Sequence, residues 1–591
     1  MKKNKNLSEL MGYAGKHKYL TYASLILSVI SAFFALLPFV FIFFIIKEVI
    51  EVTPNYSEAA DVVRNGWLAV LFALISIVIY IGGLLCSHLS AFRIAGNMRK
   101  TLMSHIAKLP LGFVGEMGSG KIRRIVNDSS AATETYLAHQ LPDMAGAIAT
   151  PLGMIVMLFL FDWRFGLICL VPVVLGFAAM FKMAGPKMAD DMKNYQNALA
   201  DMNNEAVEYV RGIPVVKTFG QTVHTFKRFK GSIDNYYKFC ISYCKKCRMP
   251  MLLYTVCINS TFAFLITLAL ILTGGESVAQ SVLLSFIFYV IFTPVIATSM
   301  SKVLYMSENG MVVADALERV HSILDMKPLP DAVKNEKPKD NSVEFKNVSF
   351  RYNGAETDAL QDVSFKVRSG ETIALVGPSG GGKTTAAGLI SRFWDVSAGE
   401  IKVGGVNVKS IKKSELMETV SYVFQDSRLL KTSIFENVRL SRPNASRKEV
   451  EFALHKAQCD DIIAKLPNGI DTVIGTKGVY LSGGEQQRIA IARVMLKNAP
   501  IIVLDEATAF ADPENEALVQ KAFEELSKDK TVIMIAHRLT TVRNADRIFV
   551  LKDGKIEESG IHNVLADKKG LYAKMWKDYQ TSVSWKVGGA K

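Results

Sequence analysis

Long apolar runs fill the first half of the chain, and short ones punctuate the second. Six stretches, at 20–46, 67–87, 137–161, 163–183, 249–273 and 278–306, carry few charges, and each matches or exceeds the ~20 residues a helix needs to cross a bilayer. Past the sixth, apolar spacing at Met311, Ala314, Leu317, Val320 and Ile323 continues a helix to Leu324. One soluble core would not bury six such runs. Residues 1–324 therefore read as a polytopic α-helical membrane domain with six transmembrane helices.

Two connections are too long for turns. Residues 88–136 and 184–248 mix polar and apolar positions without proline clusters, which predicts helices that extend well beyond the membrane. Each carries a breaker. In the first, Leu109, Pro110, Leu111, Gly112 and Phe113 lead to Gly118, Ser119, Gly120 and Lys121, a helix-joining turn rather than a phosphate loop because no strand precedes it. In the second, Arg211, Gly212, Ile213 and Pro214 are expected to interrupt the helix. Residues 325–342, rich in lysine, aspartate and proline, read as an exposed linker. From 343 to 591 short β-branched strands alternate with helices, the pattern of an α/β domain.

Charge sets the expected orientation. The formal net charge is +14. Lysine and arginine crowd the start, 88–136 and 184–248, whereas the opposite loops hold little beyond Lys47, Arg64 and Arg164. The positive-inside bias then places both termini, the long connections and the α/β domain in the cytoplasm, with the chain in the cytoplasmic membrane. A basic excess spread along helices outside any recognised module gives no support to nucleic-acid binding. The first apolar run is too long for a signal peptide and lacks a small-residue cleavage site. Cys240, Cys244 and Cys247 have the spacing of a metal ligand set, but among Tyr236, Tyr237 and Tyr243 on a helix they read as reduced thiols.

The chemistry lies in the second half. A buried strand at 372–376 runs into Gly377, Pro378, Ser379, Gly380, Gly381, Gly382, Lys383, Thr384 and Thr385, a complete GxxxxGK[ST] loop in its strand–loop–helix setting. Its N–H groups can cradle the phosphates of ATP, Lys383 can reach the β- and γ-phosphates, and Thr384 can offer a hydroxyl to Mg²⁺. A second apolar strand, 501–504, ends in Asp505 and Glu506, one carboxylate to hold Mg²⁺ and one to polarise the attacking water. A third, 531–536, ends in His537, placed to contact the γ-phosphate.

Leu481, Ser482, Gly483, Gly484 and Glu485 carry the decisive resemblance. The chain strongly resembles the ABC transporter family, whose LSGGQ signature it matches with Glu485 in the last place. The resemblance covers nearly the whole chain and implies an exporter-type half-transporter. It also implies Tyr352 as the aromatic that stacks on adenine, Gln425 as metal and water sensor, and Asp512 in the segment after the carboxylates. In the family, Ser482, Gly483, Gly484 and Glu485 would complete the nucleotide site of a second subunit, and the segments near 111–114 and 212–216 would couple the membrane helices to the ATPases. Two departures stand out: Thr476, Lys477 and Gly478 replace a Glu–Arg–Gly segment, and 509–516 reads AFADPENE, which resembles the subgroup that imports metal-loaded siderophores as heterodimers.

The expectation is ATP-driven translocation of a small-molecule or lipid-like solute by a dimer, with membrane lipid around it. Import of a metal–siderophore, export of a lipid, drug or peptide, and an ATP-gated regulator or channel all stay open. His139, Gln140, Asp143, Asn259, Thr261 and Gln280 are polar positions within the spans that could line a pathway.

Overall fold

A computed structural model describes residues 2–181, 186–218, 227–274, 279–425, 428–475, 480–505, 513–536, 539 and 541–584. Two compact units emerge: Met1–Ile106 with Arg123–Asp325, and Ala107–Ile122 with Met326–Lys591. The helices before the first strand are α1 (Lys2–Ala14), α2 (Lys18–Phe34), α3 (Leu37–Glu51), α4 (Val62–Ile106), α5 (Leu111–Met117), α6 (Ser119–Thr135), α7 (Leu141–Phe161), α8 (Trp163–Phe181), α9 (Pro186–Thr218), α10 (Lys227–Asn259), α11 (Thr261–Thr273) and α12 (Gln280–Leu324). All but α5 lie wholly or mostly in the first unit.

Five helical runs among the described residues are long and apolar enough to cross a membrane, and α10 with α11 makes a sixth, bent by 41°. In their described residues, the six apolar runs of the sequence thus fall on helices. The first is not one regular helix: it turns at Ala35 and Leu36 before α3 restarts. Pro38 has no N–H to donate to Phe34, and its ring crowds that carbonyl. The fifth bends at Ser260, where the Asn259, Ser260 and Thr261 side chains donate to the carbonyls of Thr255, Cys257 and Ile258 and compete with the helix ladder. A π-helical turn, Tyr136–Gln140, precedes α7.

The 88–136 connection is helical as expected, with α5 ending at Gly118 in a positive-φ conformation (φ 75°). The break expected at Arg211–Pro214 is absent, because α9 continues to Thr218. One proline costs one ladder bond, and a helix of 33 residues absorbs that loss. Phe219 lies outside the described residues.

Membrane-unit packing uses small polar residues. Along α2 and α4, Thr21 bonds Ser90 at 2.7 Å, and Ser31 and Ser76 exchange bonds with each other's carbonyls at 3.0 Å. Gly83 lets the backbones approach, since a Cβ there would meet Leu27 Cβ at 3.3 Å. Elsewhere Phe165, Phe288, Tyr289 and Phe292 are fully buried in a shared apolar cluster.

The second unit continues with β1 (Val343–Phe350), β2 (Leu360–Val367), β3 (Thr372–Val376), α13 (Lys383–Ile390), β4 (Ala398–Val403), β5 (Val406–Asn407), α14 (Lys413–Thr419) and β6 (Val420–Val423). Then come α15 (Ile434–Arg439), α16 (Arg447–Lys456), α17 (Asp460–Lys465), α18 (Gly483–Lys497), β7 (Ile501–Asp505), α19 (Pro513–Ser527), β8 (Thr531–Ile535), β9 (Arg547–Lys552), β10 (Lys555–Gly560), α20 (His562–Asp567) and α21 (Leu571–Ser584). An antiparallel sheet of order β2-β1-β4-β5 accompanies a mostly parallel one of order β10-β9-β3-β8-β7-β6. The central strands β3, β7 and β8 are apolar on both faces, as a sheet covered on both sides requires.

The segment expected as an exposed linker has no regular secondary structure, yet it is pinned to this unit. Arg392 donates to the Pro330 carbonyl at 2.9 Å, and the N–H groups of Lys412 and Lys413 donate to Asn335 and Asp331.

Candidate functional site

Strand register gathers the site. Leu375 of β3 pairs with Ile535 of β8, Ile535 pairs with Asp505 of β7, and Leu504 pairs with Val423 of β6. The C-terminal ends of four parallel strands therefore lie side by side, the edge at which open α/β sheets bind ligands. From that edge emerge the Gly377–Gly382 loop, Gln425 and Asp505.

Backbone sterics explain the glycines. Gly377 and Gly382 have φ of 140° and 94°. A Cβ on Gly377 would overlap the Leu551 carbonyl oxygen, and one on Gly382 would lie 2.6 Å from that of Ala359. Pro378, Ser379 and Gly380 are exposed at the tip, whereas Gly381 is buried. Lys383 opens α13 only 4% exposed, and its ammonium donates to the carbonyls of Gly377 and Pro378 at 2.9 Å each. Next to it Thr384 is exposed and Thr385 buried. Thr385 Oγ1 shares a 2.8 Å hydrogen bond with the Tyr352 hydroxyl, so Tyr352 stands over the first turn of α13. Its ring also meets Phe350 and Trp394 edge-on, at 4.9 and 5.3 Å.

Asp505 is buried at the end of β7, and its Oδ2 accepts a 2.9 Å hydrogen bond from the Tyr422 hydroxyl. Burial and the Asp505 carboxylate raise the Tyr422 phenol above its ordinary pKa, so it stays protonated and donates. Gln425 is exposed. Glu506, Asp512, His537 and the Thr476–Lys477–Gly478 segment lie outside the described residues.

Ser482, Gly483, Gly484 and Glu485 form their own group at the start of α18. Ser482 caps the helix: its Oγ accepts from the Glu485 N–H at 3.3 Å, and Glu485 Oε2 accepts from the Ser482 N–H at 2.8 Å. This capping box satisfies two otherwise orphaned donors. It also puts a carboxylate at the helix terminus that was expected to face a phosphate. Six residues on, the fully buried Arg488 donates to both oxygens of Asp461 (2.7 and 3.0 Å), to the Gln458 carbonyl, and to Asn515 Oδ1 at 3.0 Å. That guanidinium ties α18 to α17 and α19. Hydrogen bonds from Arg488 hold the Asp461 carboxyl below its usual range against the opposing effect of burial.

Sequence reasoning missed Tyr422 and Arg488. A tyrosine in an apolar strand reads as core, but it stands opposite Val503, two residues from Asp505 and on the same face of the sheet. Arg488 comes three residues after the signature's Glu485, and nothing in the local sequence shows that it is buried or which carboxylate it meets. Of the polar span positions, Asn259 donates within α10, Thr261 at the start of α11 donates back to Ile258 of α10, Gln280 opens α12, His139 meets His88 edge-on at 4.6 Å, and Asp143 accepts from Tyr80 at 3.0 Å. Gln140 Oε1 is buried without a hydrogen-bond partner among the described residues.

Two family models match the chain: one described as ABC transporter transmembrane region over residues 22–301, the other as ABC transporter over 360–509. Among curated relatives, the mycobactin import ATP-binding/permease protein IrtA of Mycolicibacterium smegmatis is 36% identical over 503 residues, 83% of this chain and 57% of its own length. Its Mycobacterium tuberculosis counterpart is 36% identical over 504 residues, again with 57% of its length covered. The chain thus spans little more than half of these relatives. The ATP-dependent lipid A-core flippase of Haemophilus influenzae is 32% identical over 497 residues, 82% of both chains.

Proposed function

Because this chain belongs to the ABC transporter family, we propose that it couples ATP hydrolysis to the movement of a solute across the cytoplasmic membrane, as one half of a dimer. The observation that supports this most is the strand register that brings the phosphate loop, Gln425 and Asp505 to one sheet edge in a chain that also holds six apolar spans. The loop N–H groups and Lys383 would hold the phosphates, and Tyr352 would stack on adenine. Glu506 would take the proton of the attacking water, with His537 at the γ-phosphate.

The Thr384 hydroxyl, the Gln425 side-chain oxygen and the Asp505 carboxylate are hard oxygen donors that suit Mg²⁺. When bound there, the ion neutralises charge on the β- and γ-phosphates. Tyr422 holds Asp505 in place for that role. Ser482, Gly483, Gly484 and Glu485 would serve the site of a second subunit, and the heterodimer is the favoured assembly.

For the solute we propose a metal–siderophore chelate moving inward. The AFADPENE segment and the likeness to mycobactin import proteins support that choice. Export of a lipid is the competing reading, supported by the likeness to a lipid A-core flippase over 82% of both chains. Vesicles with the ATPase domains outward, preloaded with ⁵⁵Fe-siderophore and given external ATP, separate the two. Import predicts ATP-dependent release of iron toward the ATP side, absent in Glu506→Gln. Retained iron together with ATP-driven flipping of a labelled lipid overturns import in favour of export.

A further inference from the structure

At the end of α18 opposite its signature residues, Asn498 closes the helix in the left-handed conformation (φ 56°) and bonds Lys530 Nζ through Oδ1 at 2.7 Å. A cleft of about 340 Å³ opens there, bounded by α16, the last turn of α18, β7 and the end of α19. That volume is within the ~300–1,000 Å³ of small-molecule sites. Its floor is apolar, formed by Ala453, Val494, Leu496, Ile502 and Leu526, each less than a tenth exposed. At the rim stands Phe452, 63% exposed.

Rim charge is unbalanced. Arg442, Lys456, Lys528 and Lys530 border the cleft against only Glu449 and Glu525. Arg442 pairs with Glu449, and a single carboxylate, Glu525, serves both Lys456 and Lys528. Hydrogen bonds from those two ammonium groups hold the Glu525 carboxyl down at about 2, so it is ionised across the physiological range and still leaves cations in excess. An apolar floor, an exposed phenyl ring with the Lys456 ammonium 5.7 Å from its centroid, and more cations than carboxylates along the lining define one ligand chemistry.

We propose that this cleft binds a small amphipathic organic anion, an aromatic or short acyl body ending in a carboxylate or sulfonate, and that occupancy modulates ATP hydrolysis. The body would lie on the Leu496–Ile502–Leu526 floor beneath Phe452. The anionic head would take the ammonium groups that Glu525 cannot fully satisfy. Leverage comes from the elements at its border. α18 begins at the signature, β7 ends at Asp505, and α19 follows the segment that contains Glu506. A ligand that wedges or clamps their far ends biases all three without touching nucleotide. Binding itself does not depend on the transport reading; only the rate effect rests on that proposal.

Hydrogen exchange on the protein in lipid nanodiscs tests it, with naphthalene-2-sulfonate as probe and neutral naphthalene-2-sulfonamide as control. The sulfonate should protect residues 442–456, 494–502 and 525–530 saturably, and bind at least tenfold more tightly than the sulfonamide. The double variant Lys528→Glu/Lys530→Glu, with Lys528 exposed and Lys530 half-buried, should keep basal ATP hydrolysis yet lose that preference, and Phe452→Ala should weaken binding several-fold if the double variant fails to fold. The sulfonate should change wild-type hydrolysis at least twofold and leave the double variant unaffected. Protection confined to the phosphate loop, equal binding of the neutral compound, or no saturable protection overturns the site. Saturable binding with unchanged hydrolysis overturns the regulatory role.

Discussion

Tyr422 shows how one hydroxyl bears on the chemistry. Its bond to Asp505 Oδ2 fixes the carboxylate proposed to meet Mg²⁺. A hydrogen bond to a charged group contributes about 1.5–3 kcal/mol, and 1.4 kcal/mol is roughly tenfold in an equilibrium. Tyr422→Phe keeps the ring contacts with Phe393 and Phe424. The half-saturating Mg²⁺ concentration for ATP hydrolysis should therefore rise about tenfold, while the rate at saturating Mg²⁺ falls much less. An equal loss at every Mg²⁺ concentration would instead assign Tyr422 to packing.

A second residue makes stability depend on pH. His562 is buried, its Nδ1 is 2.8 Å from the Tyr572 hydroxyl, and its ring meets Trp576 at 4.6 Å. Burial, helped by Arg543, lowers its pKa, so the folded state prefers the neutral ring and the unfolded chain binds the proton more readily. Stability is then fully present above the ordinary histidine pKa of about 6.5 and falls as pH drops through it. Amide exchange in α20 and α21 should accelerate between pH 7.5 and 5.5 beyond the intrinsic pH effect, and His562→Gln should flatten that dependence.

At the scale of elements, what could be read from sequence was what local rules dictate. The strand expected at 372–376 is β3, because an apolar run that feeds a glycine loop has few alternatives. Breaks were read less well: Pro38 stands at N2 of α3 just after the break in its span, whereas Pro214 lies inside α9, which runs on to Thr218. Contacts between segments distant in sequence were not legible at all. Tyr422 finds Asp505 across a strand pairing 83 residues apart, and Gly112 finds Trp394.

That last contact carries a prediction about α5. A Cβ on Gly112 would fall within the indole of Trp394, whose ring also meets Tyr352 edge-on. α5 therefore seats one indole away from the aromatic proposed to hold adenine. Gly112→Ala should unseat it, at a cost of about 1–3 kcal/mol for overpacking. Transported solute per ATP hydrolysed should fall, and Trp394→Leu added to Gly112→Ala should recover a good part of that ratio. A double variant no better than the worse single variant would show that the two residues act separately.

For the whole molecule, the question is how many chains make one working site. Each chain has one phosphate loop and one signature, and the signature serine and glycines begin α18 with donors suited to an anion. Glu485 now closes its capping box on Ser482, so a phosphate arriving there would have to displace that carboxylate or share the helix terminus with it. If two chains face each other with ATP between them, cysteines at Ser379 and Ser482 should cross-link between subunits, and yield should rise with ATP in a Glu506→Gln background. Native thiols constrain the design. Cys244 is exposed and must be replaced, whereas Cys459 is buried with its thiol pushed up to about 12 and can remain. Cross-links confined within one chain, or a diluted monomer that hydrolyses ATP at the full rate, would sink the composite site. If the protein alone yields neither dimer nor activity, co-expression with a second half-transporter should restore both, and the cross-link should then join the two different chains.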